Sequence, residues 1–252
     1  MPGFYDSDTA VSEYLLFHFG ADEDLMPWAS GPVGALHFPA RCVEFALRPG
    51  PIPGDARALD LGCAVGRASF ELARHCSQVI GIDASARFIE TAQNLALSGQ
   101  ATYTLHRGGG QTEPRTAQVD RTIDRTRVQF QVGDALNLPE NLGTFDVVLA
   151  ANLVDRVPRP AELLRRLQDL LRPGGRLVLT SPYTWLEEYT PRTEWLVRRD
   201  QETLEMLGKN LPRLKLSLRG DLPFVIREHP RKFQWSVAEA SLWLARNPLA
   251  SA

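Results

Sequence analysis

Glycines and an acid follow two short apolar segments in the first half of the chain, at a spacing that suits a nucleoside. Gly62 and Gly66 follow the apolar segment 58–61, and Asp83 follows the next such segment, 78–82. Glycines at this place permit a tight turn from a strand into a helix, and an acid on the next strand can bind the paired hydroxyls of a ribose. We therefore expect these two segments to form a nucleoside-binding site.

An alternation of strands and helices must bring these residues to one edge of a sheet. The predicted strands cover 58–61, 78–82, 128–132, 145–150 and 176–180, and the predicted helices cover 67–75, 85–97 and 161–171. This alternation is typical of an α/β fold with a mainly parallel sheet and right-handed crossovers. Ligands bind beyond the carboxyl ends of parallel strands, so the residues that follow each strand are the candidates for a site.

The segment ahead of this pattern differs from it. Residues 1–55 carry one helical pattern over 9–19, which Asp8 could cap, and a second that runs through Phe45. We interpret them as a helical cover placed ahead of a core domain over 56–252.

Residues 99–127 interrupt the core pattern, because they are polar and lack helical periodicity. Within them, 101–106 could pair with 118–123 as an inserted hairpin. The tail is predicted to contain a helix near 200–209, a strand near 213–218, the segment 221–231 and a last strand within 235–245.

The composition is that of a near-neutral globular protein. The 252 residues include 28 Lys and Arg against 30 Asp and Glu, which gives a formal charge of -2. This balance does not favour nonspecific nucleic-acid binding, and no apolar run approaches the roughly 18 residues of a membrane span. The first residues lack the features of a signal peptide, so we expect a cytoplasmic location. Cys42, Cys63 and Cys76 match no zinc module, so neither a disulfide framework nor a metal is expected.

The glycine loop helps to distinguish two nucleoside cofactors, NAD and S-adenosylmethionine (SAM). A dinucleotide site needs Gly-x-Gly-x-x-Gly, whose second glycine lets the backbone approach the pyrophosphate. Ala64 and Arg67 stand where the second and third glycines belong. SAM has no pyrophosphate, so a looser spacing suffices and SAM is the favoured ligand.

Residues 59–66, with the sequence LDLGCAVG, resemble the first motif of the class I SAM-dependent methyltransferases. Residues 133–135 (GDA) and the turn at 173–175 (PGG) are similar to later motifs of the same family. The resemblance implies a Rossmann-like fold with a mainly parallel, seven-stranded sheet and helices on both faces. It also implies that the acid of the first motif holds the methionine ammonium group, Asp83 the ribose and Asp134 the adenine amine.

The resemblance and the strand ends together define the expected cofactor site. The expected SAM-binding residues are Arg41, Asp60, Gly62, Cys63, Ala64, Gly66, Asp83, Ala84, Asp134, Ala135 and Asn152. Arg41 is included as a partner for the SAM carboxylate. Cys63 is interpreted as a small loop residue, not as a nucleophile.

The flanks of the core resemble a narrower family. Residues 4–20, 38–42 and 221–235 are similar to the mercaptohistidine N-methyltransferases of ovothiol biosynthesis. In that family the module is often fused behind an iron-dependent sulfoxide synthase, and this sequence resembles the stand-alone methyltransferase. The resemblance implies methyl transfer from SAM to an imidazole nitrogen of 5-thiohistidine, the last step of ovothiol A biosynthesis. S-adenosylhomocysteine (SAH) would be the other product, and no metal is implied.

Acceptor-binding residues are expected at the same edge of the sheet. The candidate acceptor-binding and catalytic residues are Asn152, Asp155, Tyr183, Trp185, Arg227, Glu228, His229, Arg231, Tyr5 and Tyr14. An aromatic pair can sandwich a flat imidazole, and an Arg with a Glu can hold its amino-acid end. If a proton must leave the attacking nitrogen, Asp155, Glu228 or His229 could accept it.

Three other functions share part of this pattern. A methyltransferase for another small metabolite, such as a quinone precursor or an amine, would carry the same cofactor motifs. A regulator that has lost catalysis would bind SAM without turnover, and an NAD-dependent reductase is disfavoured by Ala64. We expect a small-molecule substrate, neither nucleic acid nor membrane as a partner, and a monomer or a homodimer.

Overall fold

Nine strands form one large sheet and one separate hairpin. The structure, a computed structural model, describes Tyr5, residues 7–197 and residues 202–246. The strands are β1 (Arg57–Leu61), β2 (Gln78–Asp83), β3 (Gln100–Gly108), β4 (Gln111–Gln118), β5 (Val128–Val132), β6 (Phe145–Ala151), β7 (Leu171–Ser181), β8 (Leu214–His229) and β9 (Lys232–Ala245). Seven of them form a sheet in the order β5-β2-β1-β6-β7-β9-β8, in which β9 runs antiparallel to both neighbours and the other pairs are parallel.

Helices cover both faces of this sheet. They are α1 (Asp8–Phe19), α2 (Asp22–Leu25), α3 (Phe38–Leu47), α4 (Arg67–Leu72), α5 (Ala86–Ser98), α6 (Pro160–Asp169) and α7 (Thr203–Asn210). One hydrophobic cluster joins α1, α3, α4 and α5 to one face, and a second joins α6 and α7 to the other. In the described ranges, no helix combines the length and the apolar character that a membrane crossing requires.

The predicted α/β fold with a mainly parallel, seven-stranded sheet is confirmed. The central strands β1 and β6 are buried along nearly their whole length, which explains why they read as unbroken apolar runs. The helix predicted over 67–75 ends earlier, at Leu72. Of the helix predicted near 200–209, residues 200 and 201 lie outside the described residues.

The N-cap of α1 differs from the predicted one. The Ser7 hydroxyl accepts a hydrogen bond from the N–H of Ala10 at 3.1 Å, so Ser7 is the cap. Asp8 is the first helical residue instead, and its carboxylate forms an ion pair with Arg87 on α5. The prediction of Asp8 as the cap was therefore wrong by one position.

The inserted hairpin pairs in a different register from the predicted one. The first strand agrees with prediction, but its partner is β4, which begins at Gln111, and not the segment 118–123. The three glycines at 108–110 all have positive φ and make a tight turn, so β4 begins directly after the turn and pairs with β3. The later segment is bent instead, because Asp120 accepts a hydrogen bond from the N–H of Thr122 at 2.9 Å.

The tail forms a long two-stranded ribbon. The predicted strand near 213–218 and the segment 221–231 belong to one strand, β8. Pairing between β7 and β9 ends at Glu239, whereas β8 and β9 remain paired as far as His229 and Lys232. The ribbon therefore projects beyond the carboxyl edge of the sheet, toward α1 and α2.

Two leucines on α5 test which face of this helix supports the fold. Leu95 is fully buried, whereas the side chain of Leu97 is 82% exposed. We expect Leu95→Ala to lower the free energy of unfolding by about 2–5 kcal/mol, because it leaves a cavity in the core. Leu97→Ala, the matched control, should change it by no more than about 0.5 kcal/mol. Urea denaturation measures both values, and equal losses would contradict the assigned face.

Candidate functional site

A cavity of about 400 Å³ lies at the carboxyl ends of β1, β2 and β6. Many of its lining residues were predicted from the sequence. Those predicted residues are Tyr5, Tyr14, Asp60, Gly62, Cys63, Ala64, Asp83, Ala84, Asp134, Ala135 and Asn152. A volume of this size is within the range of small-molecule sites.

The glycine loop turns sharply between β1 and α4. The N–H groups of Gly62 and Cys63 both donate to the carbonyl of Ile82, at 2.8 and 3.1 Å, which ties the loop to the end of β2. Gly66 has a φ of 89° and does not line the cavity; a Cβ there would lie 2.5 Å from a ring carbon of Phe130. This position is therefore restricted to glycine by both backbone conformation and packing.

The Asp83 carboxylate joins that loop to the start of α5. Its Oδ2 accepts a hydrogen bond from the N–H of Ala64 and its Oδ1 from the N–H of Ser85, both at 2.9 Å. Asp83 is half-buried and lines the cavity, so hydroxyl donors of a ligand can reach it.

Asp60 lies deeper, one residue before the end of β1. It is nearly inaccessible to solvent, and its Oδ2 accepts a hydrogen bond from the hydroxyl of Ser69 at 2.6 Å. Burial raises the pKa of Asp60 to about 7, and the charge of Asp83 adds to this rise. A positively charged group of a ligand beside Asp60 would favour its ionised form.

Asp134 and Asn152 border the cavity from two other strand ends. Asp134 is exposed, and its carboxylate accepts from the N–H of Leu136 at 2.9 Å and from the Asn137 amide at 2.5 Å. Asn152 has a φ of 51°, a conformation that Asn tolerates better than most residues. The hydroxyl of Thr180 donates to its Oδ1 at 3.0 Å and fixes the side chain.

Aromatic side chains from the N-terminal segment, α5, the loop after β7 and the ribbon form the opposite wall. They are Tyr5, Tyr14, Phe17, Phe38, Phe88, Tyr189 and Phe224. The Tyr5 ring lies 6.0 Å from that of Tyr14 and 6.1 Å from that of Tyr189, and Tyr14 lies 4.7 Å from Phe88. Burial raises the pKa of the Tyr14 phenol, so it stays protonated.

Three lining residues that carry a polar group on an aromatic ring or a charged side chain were not predicted as site residues. They are His18, Arg156 and Tyr189. Burial lowers the pKa of His18 to about 3, so this histidine is neutral, and its Nδ1 has no hydrogen-bond partner among the residues that the structure describes. Arg156 adjoins the predicted residue Asp155, and Tyr189 follows the fifth predicted strand in the same loop as Tyr183. Their positions after strands, at the carboxyl edge of the sheet, were the sequence feature that could have identified both.

Asp155, Tyr183 and Trp185 do not line the cavity. Asp155 is fully buried and contacts Arg156, with 2.8 Å between its Oδ2 and Nη1. Tyr183 is turned by a φ of 53°, and its N–H donates to the hydroxyl of Ser181. Trp185 packs into the second hydrophobic cluster against Trp195, with ring centroids 6.4 Å apart. These three residues therefore support the loops that border the cavity and do not contact the cavity themselves.

The four predicted residues of the ribbon also lie outside the cavity lining. β8 is parallel to β7, as the prediction required, and its Phe224 and Ile226 line the cavity, but side chains alternate along a strand and Arg227 lies on the opposite face. The Arg227 guanidinium is buried and donates to the carbonyls of Asp24 and His106. Glu228 forms an ion pair with Lys232, while the remaining two, His229 and Arg231, lie at the turn of the ribbon.

Two predicted cofactor residues have structural contacts that account for them. Arg41 does not line the cavity, and its guanidinium donates to the carbonyls of Leu36 and Pro223, which joins α3 to the ribbon. Cys63 does line the cavity, but burial raises the pKa of its thiol, which disfavours the thiolate. Within the described ranges, no group of three or more His, Cys, Asp or Glu side chains is placed to hold a metal ion.

Comparisons with known proteins agree with this architecture. Residues 59–179 match the model of a family described as a methyltransferase domain. The N-methyltransferase NodS from Bradyrhizobium japonicum WM9 superposes with a TM-score of 0.53 at 15% identity, over 83% of this chain and 94% of that one. Magnesium protoporphyrin IX methyltransferase from Synechocystis PCC 6803 superposes with a TM-score of 0.54 at 18% identity, over 84% of each chain. The chain has the class I methyltransferase fold.

Relatives by sequence include enzymes that methylate different atoms. The ubiquinone biosynthesis O-methyltransferase of Xanthomonas campestris pv. campestris strain B100 is 32% identical over 61% of this chain and 54% of its own length. Norajmaline N-methyltransferase of Rauvolfia serpentina is 29% identical over 68% of this chain and 52% of its own length. The chain thus spans about half the length of these methyltransferases, and they do not fix the acceptor.

The raised pKa of Asp60 predicts a pH-dependent stability. The folded protein keeps a proton on Asp60 up to about pH 7, whereas the unfolded chain loses it near pH 4. The free energy of unfolding should therefore fall as pH rises between these values. Asp60→Asn should remove this pH-dependent loss, so that the free energy of unfolding of the variant increases relative to that of the wild type as pH rises. Urea denaturation at several pH values measures the free energy of unfolding. Asp55→Asn, at an exposed position, is the control. Parallel pH curves for wild type and Asp60→Asn would contradict the assignment.

Proposed function

We propose that this protein transfers a methyl group from SAM to a ring nitrogen of 5-thiohistidine. The observation that carries the SAM assignment is the convergence of Asp60, Asp83 and Asp134 on one cavity at the carboxyl edge of a class I methyltransferase fold. Each of these acids comes from a different strand end, at the positions that the family resemblance assigns to the cofactor.

The donor set of the cavity fits SAM better than a dinucleotide. A pyrophosphate would be placed near the carboxylates of Asp83 and Asp134, which would repel it, whereas SAM presents an ammonium group, a sulfonium and hydroxyls. Asp60 is suited to the ammonium group, Asp83 to the ribose hydroxyls and Asp134 to the adenine amine. SAM when bound supplies an electrophilic methyl group.

The chain's own residues contribute binding, orientation and exclusion of water. The aromatic wall offers flat faces, and Tyr5 and Tyr189 can orient a flat ring next to the cofactor site. Asn152 is held by Thr180 between this wall and the glycine loop. Holding two reactants in line contributes much of the rate in such a displacement. A thiol-substituted imidazole ionises readily, so the reaction does not require a strong base from the protein.

The choice of 5-thiohistidine is supported by the segments that line the acceptor side. The resemblance to the mercaptohistidine N-methyltransferases is carried by 4–20, 38–42 and 221–235, of which residues 4 and 6 lie outside the described residues. These same three segments supply Tyr5, Tyr14, Phe17, Phe38 and Phe224 to the aromatic wall. The part of the sequence that resembles the narrower family therefore supplies most of the aromatic wall, which supports the proposed acceptor.

Product analysis tests the acceptor directly. The protein is incubated with SAM and 5-thiohistidine, with histidine in a parallel reaction, and the products are identified by mass. We expect a singly methylated 5-thiohistidine together with SAH, and much less product from histidine, because the sulfur eases ionisation of the ring. SAH binding without turnover of any thiohistidine would favour a regulator, and turnover of an unrelated metabolite alone would favour another methyltransferase.

The role of Asp83 can be tested without an acceptor. Asp83→Ala should weaken SAH binding about 10- to 100-fold, because it removes charged hydrogen bonds to the ribose that are worth roughly 1.5–3 kcal/mol. Titration calorimetry measures the affinity, and circular dichroism confirms that the variant is folded. Glu90→Ala, an exposed change on the helix that follows, is the matched control and should bind as the wild type does. Unchanged affinity in folded Asp83→Ala would reject the ribose assignment.

A further inference from the structure

The charges around the cavity are unevenly distributed. Three carboxylates, those of Asp60, Asp83 and Asp134, face the side assigned to the cofactor. Among the lining residues that the structure describes, Arg156 carries the positive charge, since His18 is neutral with a pKa of about 3. An anionic group of a bound molecule therefore finds its favourable partner at Arg156.

The Arg156 guanidinium is held in one orientation. Its Nη1 donates to the carboxylate of Asp155 at 2.8 Å and to the carbonyl of Thr184 at 2.8 Å, and its Nη2 donates to the Thr184 hydroxyl at 3.0 Å. Within the described ranges, these contacts use Nη1 and one N–H of Nη2. Within the same ranges, the Nε–H and the second N–H of Nη2 remain as donors for a carboxylate, which arginine binds well because its N–H groups form a planar fork.

Asp155 explains why this arginine is rigid. Its carboxylate is fully buried, and among the described residues its Oδ1 has no hydrogen-bond partner. Its Oδ2 contacts Arg156 at 2.8 Å and the Thr184 hydroxyl at 3.4 Å, so the ion pair is its main compensation for the loss of water and constrains the guanidinium. The pair thus serves to present the guanidinium in a fixed position.

The guanidinium also borders the aromatic wall. The Cζ atom of Arg156 lies 5.5 Å from the centroid of the Tyr189 ring, and that ring lies 6.1 Å from the ring of Tyr5. A molecule with a flat ring against these tyrosines can therefore place a carboxylate on its side chain within reach of Arg156.

We propose that Arg156 binds the carboxylate of the amino-acid acceptor and so selects acceptors that carry one, with Asp155 as its positioning residue. This inference rests on the proposed function, because it takes 5-thiohistidine as the acceptor. It assigns to Arg156 the role that sequence reasoning gave to Arg227 or Arg231, whose guanidinium groups lie outside the cavity lining.

The test compares two acceptors that differ only in the carboxylate. In the wild type, 5-thiohistidine should have a kcat/KM about 10- to 100-fold above that of its decarboxylated form, because a charged, bidentate contact is lost. In Arg156→Met this ratio should fall toward unity, mainly through a higher KM for 5-thiohistidine. Arg159→Met, an exposed arginine three residues away that pairs with Glu162, should keep the wild-type ratio.

Two further measurements separate this role from a structural one. The double variant Asp155→Asn/Arg156→Met avoids an unpaired buried acid and should show the same loss of discrimination if Arg156→Met alone folds poorly. SAH affinity, measured by calorimetry, should be unchanged in both variants.

The failures of the two proposals have different signatures. A wild-type ratio retained in the folded variants would overturn the role of Arg156 and leave the proposed function intact. A loss of SAH affinity, together with equal decreases of kcat/KM for both acceptors, would assign Arg156 to cofactor binding and would also overturn the inference. A wild type that methylates neither acceptor would overturn both proposals.

Discussion

The contact on which the site depends is the pair of hydrogen bonds that the Asp83 carboxylate accepts from the backbone of Ala64 and Ser85. It fixes the glycine loop after β1 against the start of α5. The β1–α4 loop and the β2–α5 loop are therefore held next to each other. Parallel pairing of β1 with β2 and β6 then sets the other strand ends around the same point. If this junction were loose, the acids on neighbouring strands would share no common cavity.

The proposed acceptor side draws on more of the chain than the cofactor side does. Most of its aromatic wall comes from the N-terminal segment and the ribbon, which contact each other through Phe17, Phe38 and Phe224. Arg41 reinforces this contact by joining α3 to the carbonyl of Pro223. The loops after β6 and β7 complete this side, so the core sheet contributes to both halves of the cavity.

Sequence reasoning predicted the sheet and the cofactor edge well, because buried strands and glycine turns leave local patterns. It placed Asp60, Asp83 and Asn152 on one cavity edge for that reason. It did not find Arg156, because the partners that orient its guanidinium include a residue 28 positions away in another loop. Sequence reasoning also did not predict the length of the ribbon. β8 and β9 stay paired beyond the end of β7, and this depends on pairing between distant strands, which no local pattern encodes.

Backbone strain gathers at the same edge. In the described part of the chain, four non-glycine residues have positive φ: His37, Ala64, Asn152 and Tyr183. The last three follow β1, β6 and β7. Such conformations cost about 1–3 kcal/mol each and persist where surrounding contacts impose them. Here those contacts are visible: Asp83 holds Ala64, and Thr180 holds Asn152. Burial of the ionisable Asp60 adds a further cost at the same place. The stability of the apolar layers on both faces of the sheet must offset these costs, so the core and the site are coupled energetically even where they do not touch.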